Sequence, residues 1–196
     1  DQRYAKLTYL LIFDGRFGYE EDMVGDGVSR FYHAEMKFPE VMALNSDPFP
    51  EFIANEYYQR PAWLVTTIFQ HNVVTPKGTR AWHVDSWENQ FKAFMYLDEV
   101  TEDNGPFTYL LGSHKNKGYL LEKLYRAMRG EEDTNIPDIE VARLGLTEKK
   151  LCAGQGALIL ADTKGIHRGG MLSHGTRNAL VNYYYLQKHS DPKIGY

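Results

Sequence analysis

The stretch Thr79-Arg80-Ala81-Trp82-His83-Val84-Asp85 reads as a short strand that ends on two potential metal ligands. Side chains two residues apart in a strand share a face, so His83 and Asp85 aim at the same place. A metal held this way needs further donors, and they have to arrive from elsewhere in the fold. The pattern around the pair is that of a sheet. Strand formers and aromatics cluster at residues 63–74, 91–97, 107–111, 156–161 and 179–186, with turn signals at Pro76-Lys77-Gly78, Asp103-Asn104-Gly105-Pro106 and Gly169-Gly170. Short strands at this spacing predict a β-sandwich or barrel.

Working outward, residues 1–62 read as a helical flank, with helical patterns over 4–13 and 50–59 joined by a loop carrying Gly15, Gly18, Gly25 and Gly27. Residues 63–186 read as the barrel core. Within it, 115–150 reads as an insertion with one helix over 119–129, followed by the acidic run Glu131-Glu132-Asp133. The expectation is one domain over 1–196, since a chain of 196 residues buries about 70% of its unfolded surface.

Composition removes several function classes. A formal charge of -4, from 22 Lys and Arg against 26 Asp and Glu, is the opposite of the basic footprint that a phosphate backbone requires, so no nucleic-acid partner is expected. The apolar runs fall far short of the ~20 residues that cross a bilayer, and no membrane span is expected. The single cysteine, Cys152, excludes an internal disulfide and a cysteine-based zinc cage. It suits a reducing, cytoplasmic compartment, and its expected state is an inert buried thiol. No secretory leader pattern is visible, although the chain opens at Asp1 without a methionine. P-loop, G-x-G-x-x-G, G-x-S-x-G and H-E-x-x-H motifs are all absent, which leaves nucleotide, hydrolase-elbow and zinc-protease chemistry without support.

Seven histidines and 26 acidic residues predict about one His-x-acid pair by chance, so context has to choose. His33 and Glu35 lie in a stretch read as helical, where residues two apart diverge. His189 and Asp191 sit in the polar tail before Pro192, with no histidine after them. Only His83 and Asp85 are pre-aimed. His167 follows the apolar run 157–161 and the turn Thr163-Lys164-Gly165, where it can supply the third donor. Two imidazoles and a carboxylate on one face of an octahedral ion leave three positions open, the arrangement of non-haem Fe(II) oxygenases. Arg177 opens the last strand ten positions later, and its guanidinium fork suits a carboxylate of a dicarboxylate cosubstrate.

Together, Trp82-His83-Val84-Asp85, Asn104-Gly105-Pro106-Phe107, Gly112-Ser113-His114, His167 and Arg177 resemble, in order, the motifs of the phytanoyl-CoA dioxygenase family of Fe(II)- and 2-oxoglutarate-dependent oxygenases. The resemblance covers residues 63–186. It implies a mainly β fold with flanking helices, a double-stranded β-helix of the jelly-roll, cupin-like type. It implies His83, Asp85 and His167 as iron ligands, Arg177 on the distal carboxylate of 2-oxoglutarate, dioxygen as co-reactant, and a structural role for Ser113 and His114. The expected reaction hydroxylates a C–H bond of a small molecule or lipid-like substrate, releasing succinate and CO2; Asp85 favours this over halogenation, because related halogenases lack that carboxylate. Two departures stand out: Leu111 precedes Gly112-Ser113-His114 where relatives often carry proline, and Gly169 stands where some carry serine.

Lys92 and Gln70, polar residues inside apolar strands, are further candidates, Lys92 for a carboxylate of cosubstrate or substrate and Gln70 for a hydrogen bond near the iron. Trp82, Trp87 and Arg168 flank the ligands. Residues 14–30 and 115–150 are the candidate pocket loops. Two other readings use the same residues: a cupin-like barrel that binds a metal or ligand without catalysis, and a hydrolase or isomerase that turns over without oxygen.

Overall fold

The computed structural model describes residues 19–20, 27–36, 38–75, 81–85, 89–115, 119, 128 and 134–186. Its strands, all paired antiparallel, form two sheets. The larger contains β1 (Tyr19–Glu20), β2 (Val28–Tyr32), β3 (Trp63–Val73), β5 (Gln90–Tyr96), β9 (Leu158–Asp162) and β11 (Thr176–Tyr185), in the order β1-β2-β3-β11-β5-β9. The smaller contains β4 (Trp82–His83), β6 (Phe107–Leu110), β7 (Asn135–Ile136), β8 (Glu148–Leu151) and β10 (His167–Gly169), in the order β7-β4-β10-β6-β8. This is the jelly-roll architecture expected from the sequence.

Strand β5 shows why the large sheet reads as a nearly continuous apolar run. Phe91 and Ala93 face outward and pack with Ala54, Ala62 and Tyr184 beneath helix α2 (Phe49–Tyr58). Phe94 and Tyr96 face inward and pack with Ala179, Val181 and Phe107 between the sheets. Both faces are covered, so period-two alternation of polarity is lost while alternation of direction persists. Helix α1 (Pro39–Asn45) covers the same outer face further along, where Val41 packs with Phe69, Leu97 and Leu180. The helical flank is therefore the lid of one side of the sheet, and the other side is left to the smaller sheet and the site.

Several strands lie where the sequence showed none. β2 falls in the flank, and β7 and β8 fall in the stretch read as an insertion, beside the short helix α3 (Asp138–Arg143). β8 carries Glu148-Lys149-Lys150 at an exposed sheet edge, where charge is the normal protection against further pairing and erases the strand signal. The same edge exposes Cys152. That corrects the buried thiol expected from sequence: Leu151 turns toward the core and its neighbour turns outward. His33 and Glu35 also meet, at 3.3 Å, because His33 adopts a left-handed φ of 56° rather than helical geometry. The expected helix over 4–13, Trp87, His189 and Asp191 lie outside the described residues, as does the 119–129 segment apart from Tyr119 and Met128. No helix among the described residues is long and apolar enough to cross a membrane.

Candidate metal centre

Adjacent strands of the smaller sheet place the two histidines. His167 on β10 is the direct cross-strand partner of His83 on β4, and their ring centroids lie 4.5 Å apart. Asp85 follows β4 by two residues, and its amide donates to the Thr163 carbonyl at 3.3 Å. The three side chains converge so that one ligand atom from each lies within 4.8 Å of the others. Asp85 Oδ2 is 3.0 Å from His167 Nε2, and Asp85 Oδ1 is 3.7 Å from His83 Nε2.

The imidazole tautomers follow from local backbone. His83 Nδ1 lies 2.9 Å from the Ala81 carbonyl, and His167 Nδ1 lies 2.8 Å from the Gly165 carbonyl. A carbonyl only accepts, so each Nδ1 carries a hydrogen and each Nε2 is the ring nitrogen turned inward. Gly165 is required here: a Cβ would overlap the Tyr109 hydroxyl, which itself donates to the Asp162 carbonyl at 2.8 Å. The buried Ser113 hydroxyl accepts the Ile166 amide at 2.8 Å and anchors the residue before His167. Trp82 carries the Arg168 guanidinium over its ring at 4.0 Å.

Charge at the centre is arranged around Asp85. Burial alone would push its carboxyl up, but the Lys92 ammonium, with help from His167 and His83, holds it well below the usual carboxylate range. Lys92 Nζ is 2.8 Å from Asp85 Oδ2. Burial pulls Lys92 down and Asp85 outweighs it, so the ammonium titrates above the ordinary lysine range. Two imidazoles with Nε2 turned inward and an ionised carboxylate make a donor set that fits non-haem iron.

A cavity of about 210 Å³ opens beside these groups, lined among others by Gln70, Lys92, Arg177, Arg30 and Tyr183. Inward period-two positions of the large sheet build this wall. Arg177, Ala179 and Tyr183 alternate along β11; Gln70 on β3 is the partner of Ala179, and Lys92 on β5 is the partner of Tyr183. Arg177 is buried and donates to the carbonyl of Gly105, whose positive φ of 81° shapes the Asn104-Gly105-Pro106 turn. Gln70 lines the cavity without belonging to the His83, Asp85 and His167 group. Tyr183 was not a sequence candidate, and Arg30 lies at the end of the 14–30 segment read as a pocket loop. Counting by twos from Arg177 finds Tyr183, whereas Arg30 depends on the long-range pairing of β2 with β3.

With this geometry in place, the family model described as phytanoyl-CoA dioxygenase (PhyH) matches residues 28–179. This chain belongs to the phytanoyl-CoA dioxygenase family. Members of this fold among solved structures include SnoN, described as a non-heme alpha ketoglutarate dependent epimerase from nogalamycin biosynthesis, at 16% identity and a TM-score of 0.67 over 93% of this chain and 70% of that one. HygX from Streptomyces hygroscopicus, with nickel and 2-oxoglutarate bound, shows 16% identity and a TM-score of 0.65 over 98% and 87%. EctD from S. alaskensis shows 15% identity and a TM-score of 0.66 over 94% and 67%. No curated protein sequence matches significantly. At these identities the solved structures establish the fold alone, the double-stranded β-helix.

Proposed function

We propose that this phytanoyl-CoA dioxygenase family member is an Fe(II)- and 2-oxoglutarate-dependent hydroxylase of a small molecule, with His83, Asp85 and His167 as the iron ligands. One observation carries the reading: three donors of the right chemistry meet on the wall of a cavity that also holds a buried arginine. With 2-oxoglutarate bound, Arg177 would hold its distal carboxylate, Lys92 would pair with a carboxylate of cosubstrate or substrate, and Gln70 would supply a hydrogen bond from β3. The iron, when bound, supplies the oxidising chemistry in which dioxygen converts 2-oxoglutarate to succinate and CO2 as a substrate C–H becomes C–OH.

The chain's own contribution is arrangement. The Ala81 and Gly165 carbonyls fix the imidazole tautomers, Lys92 keeps Asp85 ionised, and Val84, Phe94 and Phe107 supply the apolar part of the cavity wall. The cavity volume of about 210 Å³ lies below the ~300 Å³ at which drug-sized ligand pockets begin, which matches a compact dicarboxylate. SnoN is described as an epimerase and SnoK as a carbocyclase, so the product of substrate oxidation is tested separately from cosubstrate turnover.

The experiment is anaerobic titration of the metal-free protein with Fe(II) and then 2-oxoglutarate, following the weak visible charge-transfer absorption of the chelate. The band is expected in the wild type and lost in His83→Ala and His167→Ala. A band that survives both substitutions rejects this site, and oxygen-independent turnover would favour the hydrolase or isomerase reading.

A further inference from the structure

Among the described residues, Lys92 is the ammonium that touches the candidate metal ligands. It sits on the inward face of β5, opposite Tyr183 on one side and Ala161 on the other. Its side chain is 6% exposed, and its Nζ lies 3.9 Å from the centroid of the Tyr183 ring. The carboxylate oxygen that it holds at 2.8 Å, Asp85 Oδ2, is also the one 3.0 Å from His167 Nε2. A cation entering between the imidazoles therefore meets a carboxylate already neutralised by a buried positive charge.

We propose that Lys92 stands in for the metal in the metal-free protein and thereby couples metal affinity to cosubstrate binding. This rests on the reading that His83, Asp85 and His167 hold the metal. Metal alone enters at a disadvantage, because Lys92, 2.8 Å from Asp85 Oδ2, competes for its anionic ligand and repels a cation seated there. A dianionic 2-oxoglutarate in the same cavity gives the ammonium a second partner and offsets that repulsion. Binding couplings are reciprocal, so metal and 2-oxoglutarate each tighten the other, and Lys92 acts as a positioning residue through Asp85. The pairing also protects the metal-free fold, since a buried carboxylate without a counter-charge is costly.

Calorimetric titration with Ni(II), with and without saturating 2-oxoglutarate and corrected for Ni(II) chelation by 2-oxoglutarate in buffer, tests this. Lys92→Met should bind Ni(II) alone at least tenfold more tightly than the wild type, and the gain from 2-oxoglutarate should shrink by a similar factor. Lys92→Gln keeps a hydrogen bond to Asp85 without the charge; it is expected to behave alike and decides the question if Lys92→Met does not fold. A purely structural lysine predicts the reverse, weaker Ni(II) binding in both variants. Unchanged or weaker Ni(II) binding overturns the coupling while leaving the metal site intact. Failure of the wild type to bind Ni(II), or binding that survives His83→Ala, overturns the metal site and the coupling together.

Discussion

His83 and His167 are direct partners across the β4–β10 ladder, and each donates its Nδ1 hydrogen to the carbonyl two residues upstream. The same local device thus acts twice, and one pair of adjacent strands aims two Nε2 atoms at one point. Donors prepared in this way lose little freedom on metal binding, so disturbance of the backbone around either histidine should appear in metal affinity as well as in stability.

Ser113→Ala removes the buried acceptor of the Ile166 amide. An N–H left unsatisfied there is expected to lower unfolding free energy by about 1–3 kcal/mol. Chemical denaturation measures this, and Ni(II) affinity should fall with it because Ile166 adjoins His167. A variant as stable as the wild type would show that the hydroxyl is dispensable.

Gly165→Ala places a methyl group where the Tyr109 hydroxyl lies. Either Tyr109 or the 165–167 segment has to shift, with an expected cost of about 1–3 kcal/mol and a weakened metal site. Thermal unfolding and Ni(II) titration of the same preparation check both effects.

Arg177→Ala should weaken 2-oxoglutarate binding by ~1.5–3 kcal/mol, the scale of a hydrogen bond to a charged group, with Ni(II) affinity in the absence of 2-oxoglutarate close to wild type. Arg177→Lys should recover only part of the loss, because an ammonium cannot reproduce a two-pronged contact. Equal 2-oxoglutarate affinity in all three proteins would remove Arg177 from the cosubstrate site.

Cys152 is exposed, yet its thiol titrates above the ordinary value through partial desolvation and the nearby Glu102 carboxylate. The thiolate is the reactive form, so alkylation by iodoacetamide at pH 7.5 should be slower than that of free cysteine and should rise about tenfold per pH unit below the thiol pKa. A rate matching free cysteine at neutral pH would contradict this assignment.

Much of the fold was readable where residues announce themselves by direction. The inward set Lys92, Phe94 and Tyr96 and the outward set Phe91 and Ala93 differ by one position, and the apolar runs of β3, β5, β9 and β11 mark a sheet covered on both sides. Strands at or next to the sheet edges gave no such mark. β8 is charged because it ends a sheet, β7 is only two residues long, and β2 is a strand because β3 lies beside it. His33 and Glu35 meet through one left-handed residue, a conformation that a non-glycine position does not advertise.

Period two predicted that His83 and Asp85 point the same way, and they do, although the strand itself ends at His83 and Asp85 lies at a bend two residues on. Local sequence also determined that Arg177 opens the last strand of a β-rich chain, and the order of these motifs was enough to place the family. Tertiary structure alone decided that His167 lies opposite His83, that Lys92 reaches Asp85, and that Gly105 offers its carbonyl to Arg177. Those relationships join residues far apart in the chain. Strand register and the packing of two sheets set such distances, and no short window of sequence encodes them.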